Sequence, residues 1–368
     1  MKIGVDARND RTGVGRYTFS LIRELARIDR ENEYVLFLSR ERFATYAAPG
    51  ANFRTVEAAI PWFTLREQLA LPRLVERERL DLVHYPHVTV PLLSTTPFVV
   101  TIHDLNYLDA GAISSPGDGR SRLRGATLRA GYRVELAKVR RARRLIAVSE
   151  HTRGTIVRAL RIDPERVAVT YEAADAPAVE PDTEVLARHG LEAPFFLYVG
   201  AAYPYKNLAR LIEAFAGVSG ERRLVLAGDH EDFGAELRTR AADLGVAERV
   251  VFPGAVTEAE LAALYGRALA YVFVSLSEGF GLPGLEAMAA GVPVVAARAA
   301  SLPEIYGDAA HYCDPLDVGS IAGSLAEVAS DGHLRARLVE RGRRRAGEFS
   351  WARTAEQTLA VYREALLH

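Results

Sequence analysis

Cysteine is almost absent from this 368-residue sequence, which contains a single one, Cys313. One cysteine cannot form an intrachain disulfide, and it excludes a cysteine-rich zinc site. Its surroundings, His-Tyr-Cys-Asp-Pro, form a short apolar stretch typical of a buried strand, so we assign the thiol no chemical role. A reducing compartment fits this composition.

Long apolar runs and a surplus of charge are lacking as well. No run approaches the length that spans a membrane, and the sequence from Met1 leads straight into a strand-like pattern without the segments of a secretion signal. Basic and acidic residues nearly balance, 46 against 47, so the chain as a whole is attracted to neither nucleic acid nor an anionic membrane. We therefore expect a cytoplasmic protein without a nucleic-acid partner, on which any basic patch is local.

Short apolar runs alternate with segments of helical period through most of the chain. This alternation is typical of β-α-β units on a parallel sheet, and hence of an α/β protein. The length favours two domains, and residues 173–182, rich in Ala, Pro and acidic residues, are interpreted as the linker between them. The predicted strands are residues 3–5, 34–38, 82–85, 98–102 and 167–170 before the linker, and 195–199, 224–227, 250–252, 270–274 and 293–296 after it.

Local signals predict where some helices begin. Thr257 with Glu260 fits a capping box, and Pro283 fits the first turn of a helix. In open α/β sheets ligands bind beyond the carboxyl ends of the strands. The loops that follow the strands are therefore where functional residues are expected.

The first such loop contains Gly13-Val-Gly15-Arg16, between the first strand and the first helix. Glycines there let backbone N–H groups approach an anion or a substrate closely. Thr18 stands where the dinucleotide fingerprint needs a third glycine, which disfavours a nicotinamide-dependent dehydrogenase. A tight turn without a ligand explains the two glycines equally well.

Histidines follow two of the predicted strands. His103-Asp104 comes directly after residues 98–102, so its side chains are expected to project beyond the sheet, and His84 and His87 lie at a similar strand end. An imidazole in that place can hydrogen-bond a substrate hydroxyl without a metal. A structural role for a lone histidine stays the alternative.

A lysine borders a loop of the second series. Lys206 follows a glycine-containing loop and precedes a helix predicted from Asn207 to Ala216. A fixed positive charge beside a helix N-terminus is a physical site for a diphosphate. The alternative is a solvated lysine beside a loop.

The richest stretch is residues 277–293, where two carboxylates border one nest of backbone N–H groups. Glu278 lies in the glycine-rich loop, and Glu286 is predicted in the first helical turn after Pro283. The N–H groups can hold phosphate oxygens, while the carboxylates can accept hydrogen bonds from the hydroxyls of a ribose and a hexose. For Glu286, favourable pairing with a helix dipole is the alternative.

The segment from Glu278 to Glu286, with Gly-Phe-Gly-Leu-Pro between the two glutamates, resembles the signature of family 4 of the retaining glycosyltransferases. The likeness extends over nearly the whole chain. The other motifs similar to that family are Gly13-Val-Gly-Arg-Tyr17, Thr101-Ile-His-Asp104, Val148-Ser-Glu150, Tyr198-Val-Gly200, Lys206-Asn207, Val251-Phe-Pro-Gly254, Ser301-Leu-Pro-Glu304 and Phe349-Ser-Trp351.

The resemblance implies the GT-B fold. Two Rossmann-like β/α/β domains would face each other across a cleft, the first binding the acceptor and the second the donor, and a last helix would cross back to the first domain. We place the N-terminal acceptor domain at residues 1–175, the nucleotide-sugar donor domain at 183–350 and the crossing helix at 351–368.

The resemblance also implies roles for individual residues. Lys206 would bind the donor diphosphate, Glu286 the ribose and Glu278 the transferred sugar, with His103 near the reacting carbon. The catalytic residues implied are thus His103, Lys206 and Glu278. The donor-binding residues implied are Gly13, Gly15, Arg16, Gly200, Lys206, Gly254, Val256, Glu278, Gly279, Phe280, Gly281, Leu282 and Glu286.

Two departures from the family pattern stand out. Ala201 and Tyr205 occupy places where many relatives carry an arginine, so a second cation for the diphosphate must come from elsewhere, with Arg16 as a candidate. Glu172-Ala-Ala-Asp175 stands where relatives often read Asn-Gly-Val-Asp.

The activity implied is transfer of a hexose, with retention, from a nucleotide diphosphate sugar to a glycan, lipid-linked or small-molecule hydroxyl. GDP-mannose is the first donor expected and UDP-glucose the second. No Asp-x-Asp triplet occurs, and metal-dependent sugar transferases hold their cation by such carboxylates, so we predict neither a metal nor a cofactor besides the nucleotide sugar. The alternatives are a GT-B epimerase or phosphorylase, and a two-lobed sugar-binding protein without catalysis.

A basic segment from Arg120 to Arg144 carries apolar residues at near-helical spacing. A basic amphipathic helix can contact an anionic membrane that holds a lipid-linked acceptor, which would place the protein peripherally on the inner membrane face. The alternative is a solvated face on a packed helix.

Overall fold

A computed structural model describes residues 1–9, 13–62, 64–106, 131, 133–175, 179–191, 194–228 and 233–367. Within these residues the chain forms two compact units, the first from 1–106, 131–172 and 350–367, the second from 173–349. Each unit contains one sheet whose paired strands are all parallel, with helices in the connections. The predicted α/β class, with two Rossmann-like domains, is confirmed.

The first unit contains a seven-stranded sheet in the order β3-β2-β1-β4-β5-β6-β7. Its inner strands are buried, as in the continuous apolar run Phe98–Ile102, whose five residues are all buried because both faces of the sheet are covered. The strands are β1 Lys2–Ala7, β2 Glu33–Leu38, β3 Phe53–Glu57, β4 Leu82–Tyr85, β5 Phe98–Ile102, β6 Arg144–Ala147 and β7 Val167–Val169, and the helices are α1 Gly13–Ile28, α2 Arg40–Thr45, α3 Leu65–Arg77 and α4 Glu150–Leu160, with a 3-10 turn at Pro164–Arg166.

The second unit contains a six-stranded sheet in the order β10-β9-β8-β11-β12-β13. Its strands are β8 Phe195–Val199, β9 Leu224–Ala227, β10 Val250–Gly254, β11 Ala268–Phe273, β12 Val294–Ala297 and β13 Ala310–Cys313. Its helices are α5 Glu184–Arg188, α6 Leu208–Ala216, α7 Gly234–Asp243, α8 Glu258–Arg267, α9 Leu282–Ala289, α10 Leu302–Tyr306, α11 Val318–Ser330 and α12 Gly332–Ala346, with 3-10 turns at Pro204–Lys206, Ala247–Arg249 and Gly307–Ala309.

Two local predictions in the second unit are confirmed, and so is the burial of its cysteine. The Thr257 side chain accepts from the Glu260 N–H while the Glu260 carboxylate accepts from the Thr257 N–H, which completes the capping box of α8. Pro283 lies in the first turn of α9. Cys313 is buried in β13, where burial raises the pKa of its thiol to about 12.

The last helix, α13 at Trp351–Leu367, returns to the first unit and packs along α1, as predicted. The Trp351 ring meets the edge of Tyr17 at 6.1 Å, and the Tyr362 hydroxyl lies 2.7 Å from Nδ1 of the buried His84. The Thr354 hydroxyl donates to the carbonyl of Tyr171 at 2.6 Å. No helix in the described ranges is long and apolar enough to cross a membrane.

Candidate active site

The glycine-rich loop between β11 and α9 is held from outside by a neighbouring helix. Tyr306 of α10 donates its hydroxyl to the carbonyl of Gly281 at 2.6 Å, and Ser301 donates to the carbonyl of Glu278 at 2.9 Å. Gly281 has φ +100°, and a Cβ there would lie 2.6 Å from the Tyr306 hydroxyl oxygen, so only glycine fits. These two hydrogen bonds fix the path of the loop just before the N-terminus of α9, whose dipole favours an anion.

Lys206 and Glu278, predicted separately, meet in an ion pair with Nζ 2.7 Å from Oε1. Their side chains are only 15% and 10% exposed. The Lys206 ammonium also lies 4.8 Å from the centre of the Tyr205 ring. Each charge therefore neutralises the other in a largely water-excluded place, and a donor diphosphate would compete with Glu278 for the lysine.

Asn207 fixes the backbone next to Lys206, a role that the predicted helix start did not reveal. It adopts a left-handed conformation with φ 64°, and its side-chain amide donates to the carbonyls of Val274 at 3.1 Å and Pro315 at 2.8 Å. Asparagine tolerates this backbone region better than most residues. The helix α6 then begins at Leu208, one residue later than predicted.

Glu286 lies deeper in its helix than the sequence indicated. Because α9 begins at Leu282 with Gly281 as its N-cap, Glu286 is the fifth helical residue, and no acidic side chain lies in the first turn. The placement in the first turn was wrong, and so is the explanation by dipole pairing, which fades beyond that turn. The residue is only 7% exposed. Burying a carboxylate is costly in free energy unless the carboxylate has polar partners.

Three glycines bring the ends of β8, β9 and β10 together. The N–H of Gly200 donates to Ala227 and that of Gly228 donates to Gly254, at 2.9 and 2.8 Å. Gly228 has φ +134°, and a Cβ on it would lie 2.3 Å from the Gly200 carbonyl oxygen. Gly200 and Gly254 were predicted on the donor side, whereas Gly228 was missed. Val256 follows in the half-buried loop before α8.

The glycines of the first unit belong to α1 itself. Gly13 opens the helix and Gly15 is buried within its first turn, so the prediction that they precede the helix was wrong. A Cβ on Gly13 would meet no described atom within 4 Å, so packing against the described residues does not require glycine there. Arg16 is exposed on the same turn.

His103 lies just beyond β5 with both ring nitrogens engaged. Nδ1 is 2.8 Å from Oε1 of Glu172, and Nε2 is 3.1 Å from the carbonyl oxygen of Pro86. Burial lowers the pKa of His103, but the hydrogen bond and charge of Glu172, helped by Asp104 and the Pro86 carbonyl, outweigh it and leave the pKa raised. In this arrangement the ring has no N–H left for a substrate hydroxyl.

The other two histidines behave differently. His84 does not project beyond the sheet; it is fully buried in β4, hydrogen-bonded to Tyr362 and Thr101, and burial together with the charge of His103 lowers its pKa to about 3. Burial, together with the charge of His103, lowers the pKa of His87 to about 4, and its ring contacts Trp62. His84 is therefore a structural residue of the first unit.

The basic segment Arg120 to Arg144 is described only in part, since residues 120–130 and 132 lie outside the described residues. Residues 133–139 are helical. Leu136 and Val139 pack into the core of the first unit, and Lys138 is 4% exposed and paired with Glu135 at 2.6 Å. In this part Leu136 and Val139 face protein whereas Val134 is exposed, and membrane contact by the segment stays a prediction.

We expect Tyr306→Phe to lower the free energy of unfolding by about 0.5–1.5 kcal/mol, because one buried hydrogen bond is lost while the Gly281 carbonyl keeps the backbone N–H of Gly284 as a donor. The loosened loop should also raise KM for the donor. Tyr312→Phe is the matched control, since that hydroxyl donates to Gly307 at 2.8 Å without touching the loop. Denaturant unfolding and donor titrations measure both effects, and a KM unchanged in Tyr306→Phe would show that the bond does not shape the loop.

Two units, each with one parallel sheet and helices in the connections, are the architecture of a GT-B protein. Over 99% of both chains the structure is similar to that of Anabaena Alr3699/HepE in complex with UDP and glucose, with a TM-score of 0.76 at 20% identity. It is likewise similar to WaaG, a glycosyltransferase involved in lipopolysaccharide biosynthesis, with a TM-score of 0.73 at 16% identity over 97% of this chain and 98% of that one. These likenesses show the fold.

Sequence comparison gives the family. The model described as Glycosyl transferases group 1 matches residues 183–345, and that of Glycosyltransferase Family 4 matches residues 11–176. The chain is 31% identical to the D-inositol 3-phosphate glycosyltransferase of Frankia alni over 97% of this chain and 95% of that one. It is 27% identical to O-antigen chain mannosyltransferase B of Escherichia coli over 96% of each. The chain belongs to the family 4 glycosyltransferases, as the motifs predicted, and it is a glycosyltransferase.

Proposed function

We propose that the chain moves a hexose, with retention of the anomeric configuration, from a nucleotide diphosphate sugar to a hydroxyl of a glycan, a lipid-linked sugar or a small molecule. The observation that carries the proposal is the Lys206–Glu278 pair beside the N-terminus of α9. It combines a cation and the positive end of a helix dipole for a leaving diphosphate with a carboxylate for the sugar. Mannose is the first candidate because the relative in Escherichia coli is named a mannosyltransferase, and glucose is the second.

Each proposed role follows from the chemistry of the group. As the bond to the nucleoside diphosphate breaks, negative charge grows on the leaving oxygen, which Lys206 and the positive N-terminal end of the α9 dipole can stabilise. Positive charge develops on the sugar, where the Glu278 carboxylate is favourable. Glu286, buried one turn into α9, would accept hydrogen bonds from the ribose. We propose attack by the acceptor from the face that the diphosphate leaves.

The rival functions differ in their products. An epimerase or a phosphorylase of the same fold would change the donor sugar or consume phosphate without an added acceptor, and a binding protein would do neither. The family membership favours transfer. Product analysis with and without acceptor separates the three.

We expect transfer from GDP-mannose to give a product with the anomeric configuration of the donor and to continue in excess EDTA. The reason is that a lysine and helix N-termini, rather than carboxylates on a cation, would meet the diphosphate. NMR of the product's anomeric centre and rates measured with and without EDTA test the two halves.

The two expected results, retention of configuration and activity in EDTA, are contradicted by different observations. An inverted product would contradict the retaining mechanism. Loss of the rate in EDTA with recovery in magnesium would mean that a cation replaces the arginine that many relatives carry at the positions of Ala201 or Tyr205.

A further inference from the structure

The surroundings of the His103 ring decide its protonation state. The Pro86 carbonyl oxygen, 3.1 Å from Nε2, has no hydrogen to give, so Nε2 must donate. An ionised Glu172 carboxylate, 2.8 Å from Nδ1, can also only accept, so Nδ1 must donate as well. An imidazole ring that donates from both nitrogens is an imidazolium ion.

The groups packed around the ring favour this charge. Glu172 is 4% exposed, so its attraction for the ring is weakly screened by water. Asp104, the residue directly after His103, adds a second negative charge. On the other sides are His84 and His87, both with lowered pKa values and hence neutral near pH 7, and the Tyr17 ring, whose edge contact is at 4.9 Å and whose pKa is raised by burial.

We propose that Glu172 is a positioning residue that holds His103 as an imidazolium with both N–H groups committed to protein acceptors. Its relation to transfer rests on the proposed function together with the family resemblance, which implies that His103 lies near the reacting carbon. Loss of one proton leaves either Glu172 or the Pro86 carbonyl facing a ring lone pair, so the ring is released from its orientation. Deprotonation of His103 therefore removes one of the two hydrogen bonds that hold its ring in place.

The sign of the pH dependence follows from the direction of the shift. The pKa of His103 is raised in the folded protein, so the stabilisation is complete below the unfolded value of about 6.5 and is lost as pH rises through the higher folded value. The kcat/KM of the wild type should fall as pH rises through the same range, because His103 loses its proton there. An amide at position 172 removes the negative charge but keeps the burial. The pH at which His103 deprotonates, and at which kcat/KM falls, should therefore be lower by about one unit or more.

The test compares wild type, Glu172→Gln and Glu172→Asp by NMR of 15N-labelled histidine, with the His103 signals assigned by their loss in His103→Gln. In the wild type both ring nitrogens should stay protonated above pH 6.5, Glu172→Gln should titrate about one unit lower or more, and Glu172→Asp, which keeps the charge, should lie between them. Glu165→Gln, which changes an exposed carboxylate of the same unit, should leave the titration unchanged. Thermal unfolding checks that each variant is folded.

The outcomes are distinct. A neutral His103 at pH 6 in the wild type, or the same titration in Glu172→Gln as in the wild type, overturns the proposal. A matching shift of the NMR titration and of the kcat/KM profile supports it. The NMR shift without transfer from any nucleotide sugar supports the imidazolium while contradicting the proposed function, since the NMR measurement needs no turnover.

Discussion

Replacing Lys206 with alanine is expected to lower kcat/KM for sugar transfer at least ~100-fold, the scale of losing one preorganised electrostatic contact with a transition state. In the proposed function the ammonium offsets the charge of the leaving diphosphate, and water screens it little because its side chain is 15% exposed. The variant also leaves the buried Glu278 without its partner. Steady-state rates with GDP-mannose measure the effect.

Two variants make this result specific. Lys206→Arg keeps the charge and should retain more activity than the alanine variant. Lys2→Ala removes another of the three lysines in the sequence, one that donates to the carbonyl of Glu78 in the first unit, and should leave the rate unchanged. A near-normal rate in Lys206→Ala would remove this residue from the active site.

The second large effect is expected for Glu278→Gln, again a loss of at least ~100-fold in kcat/KM. Glutamine keeps the shape of the side chain but not the negative charge that would favour positive charge on the sugar. The backbone of the loop is held by Ser301 and Tyr306, not by the carboxylate, so the fold should be preserved. Rates with a saturating acceptor and thermal unfolding measure the two properties.

Glu213→Gln is the control for this substitution. Glu213 is paired with Arg240 on the helices of the same unit, and its loss should not affect transfer. Since the Lys206 and Glu278 charges touch, the double variant should lose less than the product of the single losses. Losses that multiply would show that the two groups act independently, and an unchanged rate in Glu278→Gln would contradict the proposed role of this carboxylate.

The strands could be predicted wherever a buried strand leaves a continuous apolar run. Residues 98–102 and 195–199 were found with the bounds that the structure shows for β5 and β8. The strands β3 and β6 were missed for two physical reasons. β3 is a half-exposed edge strand with polar residues between its apolar ones, and β6 starts with Arg144 at the end of an arginine-rich run, residues 140–144.

The candidate site could be predicted as a set of residues but not as a set of partners. Glycines and charges next to strand ends identify Lys206 and Glu278, yet their contact joins positions 72 residues apart. The contact of His103 with Glu172 joins positions 69 apart, and only the pairing of β5, β6 and β7 brings them together. Glycine conformations such as that of Gly228 likewise depend on a neighbouring loop rather than on local sequence.

The return of α13 to the first unit has a consequence for the order in which the protein forms on the ribosome. All seven strands of the first sheet are translated before residue 173, but the helix that packs on α1 is translated after the entire second unit. Until then His84 lacks Tyr362, and Tyr17 lacks the cover of Trp351. Among the described residues the second unit comes from one stretch of sequence, 173–349, and it can complete its own fold earlier. The unit whose synthesis starts first is thus the one that is finished last.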